Sequence, residues 1–400
     1  MTRPLASRKI SRVSAAMSPF MRFFSDSTWI RRKEEAGICD FVLGNPHEMP
    51  LEGFVAALRH HLTPGNKDWF AYKGNEPVPR QVVAASLRER LGAPFEEEDI
   101  FLTNGAFAAL ATALCAIVDP GDEVIFISPP WFFYESIIAA AGGEPVRVKA
   151  DPTTLDLDVE AVANAVNEKT RAVIVNSPNN PTGKIYPPET LRKLAGVLTD
   201  ASERAGRPVY LLSDEAYSGI VFDGREFASP TTYYLNSLLL YTYGKVLLTP
   251  GQRLGYIALP PTMQNREELR EALFAAQLVT GFAFPNALLQ HALPDLDKLS
   301  IDIADLQRKR DKLVPALRNM GYELHVPEGT FYLLARSPLA DDQRFIEVLA
   351  EHDVFCLPGS IVELPGTFRI SLTANHDMIT RALPGFEAAM ARCATGLTHG

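Results

Sequence analysis

The chain has 400 residues, room for about two domains, and its 46% hydrophobic and 22% charged content is that of an ordinary soluble globular protein. A formal net charge of -9, with no basic stripe to offset it, argues against a nucleic-acid partner. Four scattered cysteines without a CxxC, and eight histidines without HExxH spacing, exclude a disulfide framework and leave no metal to expect. The longest apolar run, Ala106 to Val118, is too short to span a bilayer, so no membrane partner is expected and a reducing cytoplasm is the default location.

The first stretch, up to Phe24, carries Arg3, Arg8, Lys9, Arg12 and Arg22 and no acid, the look of a transit peptide. It also places Ile10, Val13, Met17, Phe20 and Met21 at near-helical spacing, and we read it as an amphipathic arm that packs on a partner. Ile38 to Leu43 is a short apolar strand, followed by the turn signal Gly44-Asn45-Pro46. Glycine there lets backbone approach a ligand, or simply makes the turn. Helical periodicity covers Leu51 to His61 and Gln81 to Leu91, around the aromatic loop Trp69 to Asn75.

From Ile100 the pattern becomes strand, turn, helix, strand. Phe101-Leu102-Thr103 leads into Asn104-Gly105-Ala106 and a helix to about Val118. A glycine turn opening a helix presents free N–H groups to a phosphate, although many phosphate-free α/β units begin the same way. The strand Glu123 to Ile127 delivers four aromatics, Trp131 to Tyr134, which fit a core or a ring that stacks on a planar heterocycle. Strands at Val146 to Val148 and Ala172 to Val175 follow, the second running into the turn formers Ser177 to Gly183. Leu191, Leu194, Ala195 and Leu198 give the next helix its buried face. The strand Val209 to Leu212 ends in Ser213-Asp214-Glu215-Ala216-Tyr217, where either carboxylate faces the ligand crevice of an α/β sheet or caps the next turn.

The run Leu238 to Tyr241 is a buried strand that breaks into a turn carrying Lys245, and Arg253 sits ahead of a second apolar strand, Tyr256 to Leu259. A lysine there is either a solvated loop cation or an amine able to form a Schiff base with an aldehyde. With an arginine nearby to clamp a phosphate, the pair suggests pyridoxal phosphate, Lys245 on the aldehyde carbon and Arg253 on the phosphate. Pro285 to Arg318 reads as long helix, Tyr322 to Ala335 as a hairpin across Pro327-Glu328-Gly329, and Phe345 to Leu349 as helix. In the last strand, Thr367 to Thr373, Phe368, Ile370 and Leu372 alternate with Arg369, Ser371 and Thr373. Its polar face is open to solvent, or lines a cleft where Arg369 holds a carboxylate. Alternating strands and helices predict a mostly parallel α/β sheet sandwiched by helices, with a smaller α+β unit.

The ordered set SPNNPTG, SDEAY, Lys245 with Arg253 eight residues on and then Gly255-Tyr256, and FRISLT resembles the class I/II aminotransferases of pyridoxal phosphate fold type I. The likeness spans nearly the whole chain. It implies a large cofactor-binding domain over 50–290, and a small domain from 1–49 and 291–400 with an N-terminal arm. It further implies that Lys245 carries the cofactor, that Asp214 pairs with the pyridine nitrogen, and that Asn180 and Tyr217 hydrogen-bond the phenolic oxygen. Gly105, Ala106, Phe107, Thr242 and Arg253 line the phosphate turn, and Trp131 stacks on the ring. Arg369, with backbone near Gly44, binds the substrate carboxylate. Tyr72 reaches the phosphate of a neighbouring subunit, which implies a homodimer with shared sites. Gly244 and Ala106-Phe107 depart from the family pattern, which has serine beside the lysine and more polar residues in the turn. The implied activity is transfer of an amino group from an L-amino acid to a 2-oxo acid. A carbon–sulfur β-lyase of the same fold and a non-catalytic cofactor-binding regulator are the alternatives.

Overall fold

The central strands of the main sheet are apolar runs, and the computed structural model, which describes residues 5–395, shows how both of their faces are covered. The strands are β1 (Cys39–Asp40), β2 (Ile100–Thr103), β3 (Glu123–Ser128), β4 (Glu144–Lys149), β5 (Thr170–Asn176), β6 (Tyr210–Asp214), β7 (Ser237–Thr242) and β8 (Gly255–Ala258), then β9 (Leu324–His325), β10 (Tyr332–Arg336), β11 (Val354–Phe355), β12 (Leu357–Pro358) and β13 (Thr367–Ser371). Among the described residues the largest sheet has seven strands in the order β2-β8-β7-β6-β5-β3-β4. Its pairs are parallel except those of β8, which runs antiparallel to both β2 and β7.

The two-residue period of a strand divides the core. Leu238 and Leu240 pack with Phe126, Ile174 and the helix Gly105–Ile117, while Leu239 and Tyr241 pack on the other face with the helices Glu52–His61, Pro77–Leu91 and Ala287–Leu296. Ile125, Val173 and Leu211 meet Leu191, Leu194 and Leu198 of the helix Pro188–Ala205. Strands covered on both faces in this way read as continuous apolar runs.

The smaller sheet, β12-β13-β10-β9, is antiparallel, and β1 pairs with β11 beside it. Phe368 and Ile370 point into a core shared with Leu313, Leu317, Phe345 and Phe386. The predicted long helix over Pro285 to Arg318 is two helices, Ala287–Leu296 and Ile303–Asn319. The break follows from Asp302, whose side chain accepts the Asp305 N–H at 3.0 Å and so starts a new helix. The turn expected to carry Lys245 is one turn of helix, Tyr243–Val246.

The N-terminal segment forms the helices Arg8–Ala16, Ser18–Asp26 and Thr28–Arg32 and packs on its own chain; Arg3 lies outside the described residues. Arg12 donates two hydrogen bonds to Glu144 of β4. Phe20 stacks on Phe24 at 4.2 Å and on Phe132 at 4.6 Å. Phe20 thus finds aromatic partners within the chain, whereas Ile10 and Met21 of the same predicted face remain exposed.

Candidate active site

The parallel neighbours β5, β6 and β7 bring Asn176, Asp214 and Thr242 to the same edge of the sheet, where open α/β sheets bind their ligands. Asp214 is buried. Its Oδ2 accepts a hydrogen bond from Tyr134 Oη at 2.6 Å, and its Oδ1 accepts one from the Ala216 N–H at 3.2 Å. Burial raises the Asp214 carboxyl above the usual carboxylate range, opposed by these two donors and by the charge of Lys245. Asn176 Nδ2 donates to the Asp214 carbonyl at 2.9 Å, and Asn176 Oδ1 accepts the Asn180 N–H at 2.8 Å. The SPNNPTG turn is thereby tied to the aspartate strand.

Lys245 lies half-buried just past β7. Among the described residues its Nζ makes no hydrogen bond or ion pair, and it sits 5.6 Å and 5.7 Å from the ring centres of Tyr217 and Phe331. Thr242 Oγ1 accepts the Gly244 N–H at 3.3 Å, fixing the turn that presents the lysine. A Cβ on Gly244 would stand 3.1 Å from Pro250 Cα, which accounts for glycine beside the lysine in this chain.

Gly105 has φ +79° and opens its helix without a side-chain cap from Asn104, so the first N–H groups are free for an anion. A Cβ there would lie 3.0 Å from Arg253 Nη2 and 3.4 Å from Thr242 Oγ1. Arg253 donates to the Pro250 carbonyl at 2.9 Å and forms no ion pair among the described residues. Ala106, Phe107, Trp131, Asn180, Asp214, Tyr217, Thr242, Lys245 and Arg253 all line one cavity of about 130 Å³.

Arg369 adjoins this cavity through Asn180, whose Oδ1 accepts from Arg369 Nη1 at 2.9 Å. Nη2 donates to the Val42 carbonyl at 3.0 Å, and the guanidinium lies 3.9 Å over the Tyr332 ring. Arg369 is 1% exposed, its Nε has no hydrogen-bond partner, and no carboxylate pairs with it among the described residues. The polar face of β13 is thus buried and not open to solvent. Gly44 belongs beside it, because a Cβ there would stand 2.4 Å from Phe331 and 2.6 Å from Tyr332 Oη. Tyr72 is fully exposed and does not enter the cavity of its own chain. A larger cleft, about 1000 Å³, runs along Ser128, Lys149, His325 and Arg336, but none of the candidate residues lines it.

The profile of the family "Aminotransferase class I and II" matches residues 51–383. This chain belongs to that family. The aminotransferase is 29% identical to an aspartate/prephenate aminotransferase of Thermus thermophilus over 96% of this chain and all of that one. It is 30% identical to a probable aspartate/prephenate aminotransferase of Thermus aquaticus, covering 90% and 93%. An aminotransferase of Eubacterium rectale superposes with a TM-score of 0.87 at 30% identity, over 96% of this chain and 99% of that one. An aspartate aminotransferase of Thermotoga maritima does so with a TM-score of 0.82 at 28% identity, covering 96% and 99%. The fold is that of pyridoxal phosphate fold type I, and pyridoxal phosphate is the cofactor.

The residues present fit that group. An unpaired arginine beside uncapped helix N–H groups suits a phosphate, a buried carboxylate suits a pyridinium, and an unpaired lysine suits an aldehyde. Sequence reasoning missed Tyr134 and Asn176. Tyr134 stands one helical turn past Trp131 and begins the helix Tyr134–Ala141, a signal visible only once Trp131 is placed at a site. Among the described residues no three metal-binding side chains cluster, and no helix is long and apolar enough to cross a membrane.

Proposed function

We propose that Lys245, Asp214 and Arg369 are the working centre of this aminotransferase. Pyridoxal phosphate, when bound, supplies an aldehyde carbon and a pyridinium that withdraws electrons from the substrate α-carbon. Lys245 provides the amine that bonds the aldehyde. Its Nζ would be the group placed to move a proton at the substrate α-carbon. Asp214 keeps the pyridine nitrogen protonated, with Tyr134 holding the carboxylate in place and in its ionised form. Gly105, Ala106, Phe107, Thr242 and Arg253 hold the phosphate turn, Trp131 covers the ring, and Asn180 and Tyr217 hydrogen-bond its phenolic oxygen. Arg369, oriented by Asn180 and by the backbone at Val42 near Gly44, takes the substrate α-carboxylate. The observation that carries the reading is an unpaired Lys245 in the same 130 Å³ cavity as buried Asp214.

Two such chains form a homodimer in this reading. Phe274, Leu278 and Val279 are exposed on one helix, and the segment with Tyr72 and Val78 adjoins it through Asn75 Nδ2 donating to Gln277 Oε1 at 2.8 Å. The phosphate turn borders the same region, since Asn104 Nδ2 donates to the Phe282 carbonyl at 3.2 Å. A partner covering this apolar surface sits next to the site, where Tyr72 reaches across.

The test is a half-reaction. Holoenzyme mixed with single L-amino acids, without acceptor, is expected to lose the absorbance of the aldehyde cofactor, and a 2-oxo acid is expected to restore it. A holoenzyme that converts with no amino acid in a broad panel contradicts the reading.

A further inference from the structure

The cavity has a cationic side and an aromatic side. Its cations are Lys245 and Arg253, with Arg369 reached through Asn180. All three are occupied in the proposed chemistry, by the aldehyde, the phosphate and the α-carboxylate. Among the described residues no further lysine or arginine lines the cavity to receive a second substrate carboxylate.

The aromatic side is built from neighbouring rings. Phe107 meets Trp131 edge-on, with centres 5.0 Å apart and planes at 87°, and lies 5.2 Å from Phe133. Phe133 is backed in turn by Phe20 of the N-terminal segment at 4.9 Å. Phe107 is nonetheless only partly buried, and it lines the cavity. A carboxylate brought against this wall would shed water and find no cation of the same chain lining the cavity in return. An apolar ring brought there would exchange water for edge-to-face contacts.

Resting on the residue roles proposed above, we propose that Phe107, backed by Trp131 and Phe133, is a specificity wall. It admits L-amino acids with bulky apolar side chains, aromatic ones above all, and discriminates against the second carboxylate of aspartate. Substrate preference in this chain then departs from the aspartate in its relatives' names. A hydrophobic contact of this kind sets a preference of about tenfold to a hundredfold.

The test uses holoenzyme in the half-reaction with L-phenylalanine, L-leucine and L-aspartate, followed by cofactor absorbance. Wild type is expected to react with phenylalanine at least about tenfold faster per mole than with aspartate. Phe107→Lys is expected to raise the aspartate-to-phenylalanine ratio at least about tenfold, whereas Phe107→Leu keeps the apolar preference. A wild type faster with aspartate overturns the proposal, as does a folded, cofactor-loaded F107K with an unchanged ratio. Should F107K fail to load cofactor, the wild-type panel and F107L still decide. If none of a broad panel of amino acids converts the cofactor, the residue roles themselves are overturned, a failure distinct from a wrong order of donors.

Discussion

Asp214 and Glu215 are adjacent buried carboxyls with different surroundings. Asp214 lines the cavity and accepts from Tyr134, which lowers the proton affinity that burial raises. Tyr134→Phe removes that donor, so the Asp214 carboxyl moves further up. The acidic limb of the kcat profile should then shift upward by about one pH unit. Rate profiles of the two proteins check this, and coincident limbs would count against it. Glu215 instead accepts from Ser213 Oγ at 2.9 Å and from Ser229 Oγ, and its Oε2 has no hydrogen-bond partner. Burial pushes its carboxyl from 4.5 up to about 7. Across that window the unfolded chain releases a proton the folded chain keeps, so this group costs stability as pH rises. Glu215→Gln is uncharged throughout. The difference in Tm, variant minus wild type, should become more positive between pH 5 and pH 8, and thermal unfolding at both values measures it. A difference that does not change with pH would refute the assignment.

At the scale of elements, function depends on where strands stop. β5, β6 and β7 end at Asn176, Asp214 and Thr242, and β7 passes directly into the turn of helix that holds Lys245. This much was readable in the sequence, because Asp214, Lys245 and Arg253 each follow or precede an apolar run of strand length. Arg369 was readable only in part. Its alternation with Phe368 and Ile370 gave the face, but not that Asn180 and Val42 hold its guanidinium buried. Tyr134 was invisible, since its role requires a helix start to meet the end of β6, 80 residues away in sequence. Asp302 is of a helix-capping residue type, but the expected long helix ran straight through it. Gly105 is the element-scale test. Alanine there meets both a left-handed backbone angle and Arg253 Nη2 at 3.0 Å. Gly105→Ala should weaken cofactor binding at least about tenfold while the fold persists, given that strain of this kind costs about 1–3 kcal/mol. Cofactor titration followed by absorbance decides it, and unchanged affinity would contradict the phosphate role of that turn.

Across the whole molecule, the N-terminal helices join the edge strand β4 and the aromatic wall to the small sheet. Two contacts do this with different strengths. The Arg12–Glu144 pair is about half exposed on both sides, so Arg12→Ala should cost no more than about 1 kcal/mol. Phe20 belongs to a stack that includes Phe24, Phe132 and Phe133, and Phe20→Ala should cost more, about 1–3 kcal/mol, and speed proteolysis of the first helices. Chemical unfolding of the two variants ranks them, and an equal or reversed ranking would show that charge, not ring packing, anchors the segment. The most direct measurement concerns the lysine on which the whole arrangement converges. Holoenzyme is reduced with borohydride, digested, and its labelled peptide sequenced by mass spectrometry. The predicted result is the reduced cofactor on the peptide containing Lys245; a label on any other lysine, or none, would contradict the site described.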